Sequence, residues 1–103
     1  MFDLIVNVRV KDGEDAAEVA AAFAAMRPLC LAEDGCVHWY AYQSLEDEGR
    51  FTLVERWATR EHWEAHGDGE AIQEHYSKRV LPRVEREVHP SRVLGTATEG
   101  DRS

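Results

Sequence analysis

The chain opens on an alternating segment. In FDLIVNVRV, Phe2, Leu4, Val6, Val8 and Val10 fall on one side, and Asp3, Ile5, Asn7 and Arg9 on the other. A period of two, rich in β-branched residues, predicts a strand. KDGED predicts a turn, with Asp12 placed to cap the helix that follows. The period then changes. AAEVAAAFAAMRPLCLAE is alanine-rich, and Val19, Phe23, Met26 and Cys30 recur at steps of four, three and four. That spacing is the buried stripe of a helix. Pro28 is expected to kink or loosen its last turns. Gly35, in EDG, ends the element by taking a positive φ.

Extended patterning returns in CVHWYAYQ and FTLVERW, joined by the polar SLEDEGR, and predicts a hairpin. Thr59 then caps a short helix, with Glu61 in the first turn where the helix dipole favours an acid. GDG interrupts it. A further helix follows, with Ile72, Tyr76, Val80 and then Val84 as its buried row. VHPSRVLGTAT predicts a last strand that begins after Pro90 or lies at a sheet edge. The order β-α-β-β-α(α)-β defines an α+β class, a ferredoxin-like antiparallel sheet with helices on one face. Residues 1–97 form one domain in this reading, and 98–103 a disordered polar tail. The uncovered sheet face is expected to meet a second copy, giving a homodimer.

Composition narrows the partners. The 103 residues carry a net charge of −8, without the clustered Lys and Arg that nucleic acid requires. No apolar run is long enough to span a bilayer. The N-terminus lacks a signal-like segment, and two cysteines, Cys30 and Cys36, make no disulfide scaffold or familiar zinc spacing. The expectation is a reduced, cytoplasmic protein that meets neither nucleic acid nor membrane. Dinucleotide, P-loop and serine-elbow motifs are absent.

The chemistry to weigh lies in TREHWEAH, residues 59–66. His62 and His66 stand four apart, on one helical face. Glu64 is one place late for the His-Glu-x-x-His zinc motif, a rotation of about 100° around the helix. No third ligand is suggested nearby, so no metal is expected. His66 reads either as a C-terminal helix histidine favoured by the dipole, or as a proton carrier in a pocket. Asn7 reads as an interface amide, or as one that orients a substrate oxygen or O2. Trp57 and Trp63 read as core. Tyr76 reads as packing, with its hydroxyl available to a cavity. His75 and Arg79 could line a cavity rim or be solvated, and Glu55 could pair across the sheet or face the cavity.

Three segments carry a resemblance to a known family: VNVRVKDGED, EDGCVHWYAYQ and, above all, FTLVERWATREHWEAH. The last has a strand ending Glu-x-Trp, here Glu55 and Trp57, then a short helix closing on His66. In this order the chain, over about residues 2–97, resembles the antibiotic biosynthesis monooxygenase (ABM) family of small dimeric α+β-barrel proteins. The resemblance implies O2 chemistry on quinols or polyketide aromatics without a cofactor. Haem-degrading members use an Asn, a Trp and a His. Asn7 fits the first, but the Trp position falls on His66 and the His position on or beside Tyr76, which argues against haem. A His at position 66 is instead similar to the quinol-monooxygenase-like branch. That branch has a second His near position 71, where this chain has Ala71. The implied activity is oxidation of an electron-rich aromatic such as a quinol, anthrone or polyketide-like phenol. His66 would carry the proton, Asn7 would orient oxygen, and Trp57, Tyr76 and Arg79 would bind substrate. The alternatives are a non-oxidative isomerase or cyclase on the same scaffold, and a non-catalytic dimeric ligand-binding domain.

Overall fold

A computed structural model describes residues 1–95. Four strands form one antiparallel sheet: β1 (Phe2–Val10), β2 (Cys36–Gln43), β3 (Arg50–Trp57) and β4 (Val84–Ser91), in the order β2-β3-β1-β4. Helices α1 (Ala16–Leu31), α2 (Arg60–His66) and α3 (Ala71–Val80) connect them, with a 3₁₀ turn over Leu81–Arg83 before β4. This is the α+β arrangement that the patterning predicts.

Strand alternation sorts the sheet into two faces. Leu4, Val6 and Val8 of β1 pack inward with Trp39, Phe51, Leu53, Trp57 and Val84, against Val19, Ala22, Phe23, Met26 and Cys30 of α1. Phe23 anchors this core, meeting Phe51 edge-on at 5.3 Å between ring centroids. The outer face carries Asp3, Asn7, Arg9, Tyr40, Tyr42 and Arg56. There Asp3 is buried under a bidentate pair with Arg56, at 2.7 and 3.0 Å.

Two local expectations change. Asp15, not Asp12, caps α1, accepting from the backbone N–H groups of Ala17 and Glu18. Four intervening residues from Lys11 to Glu14 are needed to turn the chain before the helix can start. α1 runs through Pro28 to Leu31, within the predicted helical stretch. The last strand begins at Val84, so Val84 belongs to β4 opposite Val10 rather than to the helix. Pro90 sits near the end of this edge strand, where its missing donor breaks no inner ladder. The 98–103 tail lies outside the described residues.

The winding of α3 explains another difference. Its N–H bonds run five residues back, as from Leu81 to the Tyr76 carbonyl, so the helix is π-wound. Its buried residues are therefore Ala71, Tyr76 and Val80, at steps of five and four, while Ile72 is only half-buried. An α-helix would have buried Ile72 fully and turned Ala71 away. Among the described residues, no helix is long and apolar enough to cross a membrane.

Candidate active site

The inner face of the sheet and the helices border a cavity of about 60 Å³. Leu4, Val6, Met26, Leu53 and Val88 supply apolar wall, and Glu55, His66, Tyr76 and Arg86 supply the polar groups. Each polar group arrives for a local reason. β3 alternates, so Phe51, Leu53, Glu55 and Trp57 all face inward and leave Glu55 a carboxyl in an apolar row. β4 does the same with Val84, Arg86 and Val88. The short α2, capped by the Thr59 side chain on the His62 N–H, ends on His66 and buries it at 5% exposure.

His66 is fixed from two sides. Its Nδ1 lies 2.5 Å from Glu33 Oε1, and its ring lies against Trp57, with centroids 4.6 Å apart. A carboxylate only accepts, so Nδ1 carries the hydrogen, and in the neutral ring Nε2 is the nitrogen with the lone pair. Glu33 follows the end of α1, its N–H bonded to the Cys30 carbonyl, which aims its side chain at the last turn of α2.

Glu55 is the more unusual group. It is 4% exposed, and Oε1 accepts from Trp57 Nε1 at 3.0 Å. Burial pushes its carboxyl above the ordinary range, opposed by the Trp57 bond, His66 and the Trp39 indole. The Trp39 N–H is buried and faces Glu55 without completing a hydrogen bond. Folding therefore raises the affinity of Glu55 for its proton. Its contribution to stability is full below the ordinary value near 4.5 and is lost as pH rises through the higher folded value. Glu55→Gln is accordingly expected to raise the melting temperature at pH 7, with the gain shrinking toward pH 4. Thermal melts across that range check it.

At the far side of the cavity, Tyr76 accepts from Arg86 Nη1 at 3.1 Å. Its own hydroxyl hydrogen is left to donate. Burial pushes the Tyr76 hydroxyl pKa up, with Arg86 opposing, so it is protonated at neutral pH.

Other expected site residues separate. Asn7 is exposed on the outer face, in an open groove with Thr52, Glu85 and Glu87. It does not share the His66 cavity, because position 7 has the opposite strand parity to Val6 and Val8. Arg79 is held by Glu18 of α1 at 2.9 and 3.2 Å and by His75 at 2.8 Å, away from the cavity. Trp57 backs the His66 ring instead of lining the space. Trp63, expected in the core, is half-buried, stacks on Phe2 at 5.2 Å and forms part of the cavity wall. His62 and His66 part company: His62 meets Thr59 Oγ1 at 2.8 Å and Asp34 at 3.4 Å.

Glu33, Trp39 and Arg86 escaped the sequence reading of the site, and of the two places open to Glu55 the structure gives it the cavity. Strand parity could have placed Glu55 and Arg86, and Glu33 stands three residues after Cys30 on the buried stripe. Cys30, Glu33 and His66 also bring a thiol, a carboxylate and an imidazole within 4.8 Å of one another. A metal there would have to displace the proton between Glu33 and His66. It would also need a thiolate, whereas burial and the nearby Glu33 and Glu55 push the Cys30 thiol well up and Cys36 to about 11.

A four-stranded antiparallel sheet with helices on one face, closing on a small cavity, defines a ferredoxin-like α+β protein. The antibiotic biosynthesis monooxygenase family model matches residues 1–78, and the chain belongs to that family. Solved structures agree on the fold. PA3566 from Pseudomonas aeruginosa is 20% identical, with a TM-score of 0.80 over 90% of this chain and 93% of that one. A mutant of SnoaB, a cofactor-independent oxygenase from Streptomyces nogalater, is 12% identical, with a TM-score of 0.78 over 95% and 97%. Rv0793 from Mycobacterium tuberculosis is 20% identical, with a TM-score of 0.71 over 93% and 100%. No functionally curated protein matches the sequence.

Proposed function

We propose that this chain is a cofactor-independent monooxygenase acting on a small electron-rich aromatic, with a hydroquinone as the model substrate. The observation that carries the reading is the Glu33–His66 pair, with His66 buried at the wall of a small, mostly apolar cavity. Family membership and the SnoaB-like fold support it.

His66 Nε2 takes a phenolic proton, while Glu33 holds Nδ1–H and stabilises the imidazolium that forms. Deprotonation raises the electron density of the ring, and the substrate itself reduces O2. One oxygen atom enters the ring and the other leaves as water, so a hydroquinone and O2 give a hydroxyquinone and H2O. Four electrons come from the substrate and none from the protein. Apolar walls exclude water and strengthen the electrostatics within. Tyr76, turned by Arg86, donates to the second substrate oxygen. Tyr76→Phe is expected to raise KM about 3- to 10-fold with kcat little changed, one neutral hydrogen bond's worth. Steady-state kinetics read the split. At about 60 Å³ the cavity takes one polar end of a substrate, so a whole ring enters only as Trp63, Ile72 or Tyr76 gives way.

Oxygen uptake with a hydroquinone panel, matched to product formation, tests the proposal. Equal product under strict anaerobiosis would replace it with an isomerase or cyclase on the same pair. Binding without turnover would replace it with a ligand-binding domain.

We further propose a homodimer formed through the outer sheet face. That face exposes Tyr40 and Tyr42 and leaves the buried His38 Nδ1 without a partner among the described residues. The expected mass in dilute solution is about twice 11.7 kDa. A monomer at micromolar concentration overturns the assembly. Asn7 lies in this face, where it would meet the second copy rather than the substrate. Within this reading the protein works in the cytoplasm and uses no haem.

A further inference from the structure

We propose that the Trp39 indole N–H and the Glu55 carboxyl together form an oxyanion site, which receives the substrate oxygen as His66 removes its proton. The inference rests on the proton-carrying role of His66 above, and it assigns two residues and a substrate chemistry that this role does not specify.

Three observations lead to it. First, β2 and β3 set Trp39 directly opposite Glu55, and both side chains line the cavity that His66 lines. Second, both bring a polar atom to a small, mostly apolar space. Trp39 is 0% exposed with no partner at hydrogen-bond distance from its N–H, and Glu55 is 4% exposed, with Trp57 bonded to Oε1 only. Buried polar atoms left open in this way are costly and uncommon, unless a ligand completes them. Third, the charges fit only one arrangement. Trp57 already donates to Oε1, Trp39 N–H can only donate, and Glu33 holds the far side of His66. A ligand oxygen at the meeting point of Trp39 and Glu55 would then accept one hydrogen bond from the indole. It would accept a second from Glu55 only if the carboxyl keeps its proton, which burial favours.

The chemistry follows. A neutral phenol or enolisable ketone enters. Its O–H or α-C–H bond breaks, with the proton moving to His66 Nε2 and the electron pair remaining on the substrate as phenolate or enolate. Trp39 and Glu55 share hydrogen bonds with that oxygen, and Glu55 neither gains nor loses a proton. Donors placed in advance where negative charge develops, in a site closed to water, stabilise the anion more than water does. The site thus selects substrates that become anionic at an oxygen. It disfavours those that already carry a carboxylate, since Glu33 and Glu55 lie close by.

The test uses 4-nitrophenol, whose phenolate absorbs at longer wavelength than the phenol, and needs no oxygen chemistry. Wild-type protein is expected to hold the bound probe as phenolate at a pH below its solution pKa. Trp39→Phe should weaken phenolate binding by about 10- to 100-fold, the effect of one hydrogen bond to a charged group. Glu55→Leu should do likewise, while Glu55→Gln, which still donates, should retain most of the signature. Circular dichroism confirms that each variant folds, and having two positions guards against the loss of either. The absence of a phenolate band with saturated wild-type protein, or an unchanged band in both Trp39→Phe and Glu55→Leu, overturns the oxyanion site. An intact, Trp39-dependent band without oxygen uptake on any substrate overturns the oxygenase reading and leaves the oxyanion site standing.

Discussion

His66→Ala is expected to lower kcat by about 10²- to 10⁴-fold, the range for loss of a positioned general base, while the protein stays folded. The residue sits at the end of α2 rather than at the centre of the core, and the Trp57 ring and the cavity walls remain to pack around the gap. Glu33 then loses its partner. With the side chain 20% exposed, its carboxylate can take water in place of the imidazole. Glu33→Gln provides the graded comparison. An amide can offer a donor to Nδ1 and so favour the wrong tautomer, leaving hydrogen on Nε2. The expected loss in kcat is about 10- to 100-fold, smaller than for His66→Ala. Stopped-flow or steady-state turnover on one hydroquinone, with melting curves for all three proteins, reads both. If His66→Ala kept wild-type turnover, proton transfer would have to lie elsewhere in the cavity.

Gly35→Ala is expected to cost about 2–3 kcal/mol of stability and to lower the melting temperature by about 10–20 °C. Gly35 has φ +81°, where any Cβ is strained by about 1 kcal/mol. A Cβ there would also stand 2.2 Å from His62 Cγ, so the ring must leave its contacts with Thr59 and Asp34. The Gly35 carbonyl meanwhile accepts from the Ala58 N–H at 2.7 Å, tying this turn to the end of β3. Combining Gly35→Ala with His62→Ala separates the two contributions. Removing the ring should restore the steric share and leave only the backbone cost, a non-additive result characteristic of contacting residues. Thermal melts of the four proteins measure it. A fully additive cycle would mean that the ring yields freely.

Most of the architecture was legible because its signals are local. Alternation placed β1, β2 and β3 to within a residue, the four-three-four stripe found the buried side of α1, and Thr59 marked the start of α2. The errors fall where distance along the chain or an unusual winding decides. Asp12 and Asp15 are both good caps, and the choice depends on how much chain the β1–α1 corner needs. Val84 has the right spacing for a helix, but its place is set by pairing with Val10. The site was half legible. His66 was visible as a histidine at a helix end, yet its partner Glu33 is thirty-three residues away, and only the tertiary fold brings them together. Parity alone would have moved attention from Asn7 to Glu55. A polar residue that breaks an apolar strand is conspicuous on either face, but only the inward one reaches the cavity.

α3 carries two registers in a single stretch of sequence. Read at 3.6 residues per turn, it would bury Ile72, Tyr76 and Val80; wound as it is, it buries Ala71, Tyr76 and Val80. Tyr76 and Val80 act as a fixed pivot shared by both. Ahead of them Ile72 stands at the cavity wall in the wider winding and would roll inward in the tighter one. Losing one residue between positions 71 and 75 would let the helix wind as an α-helix with Ala71 four residues ahead of Tyr76, so the present buried row would be kept. At full length the tighter winding would instead bring Ile72 onto the buried row, and so would reshape one wall of the cavity while Glu33 and His66, on other segments, kept their contact.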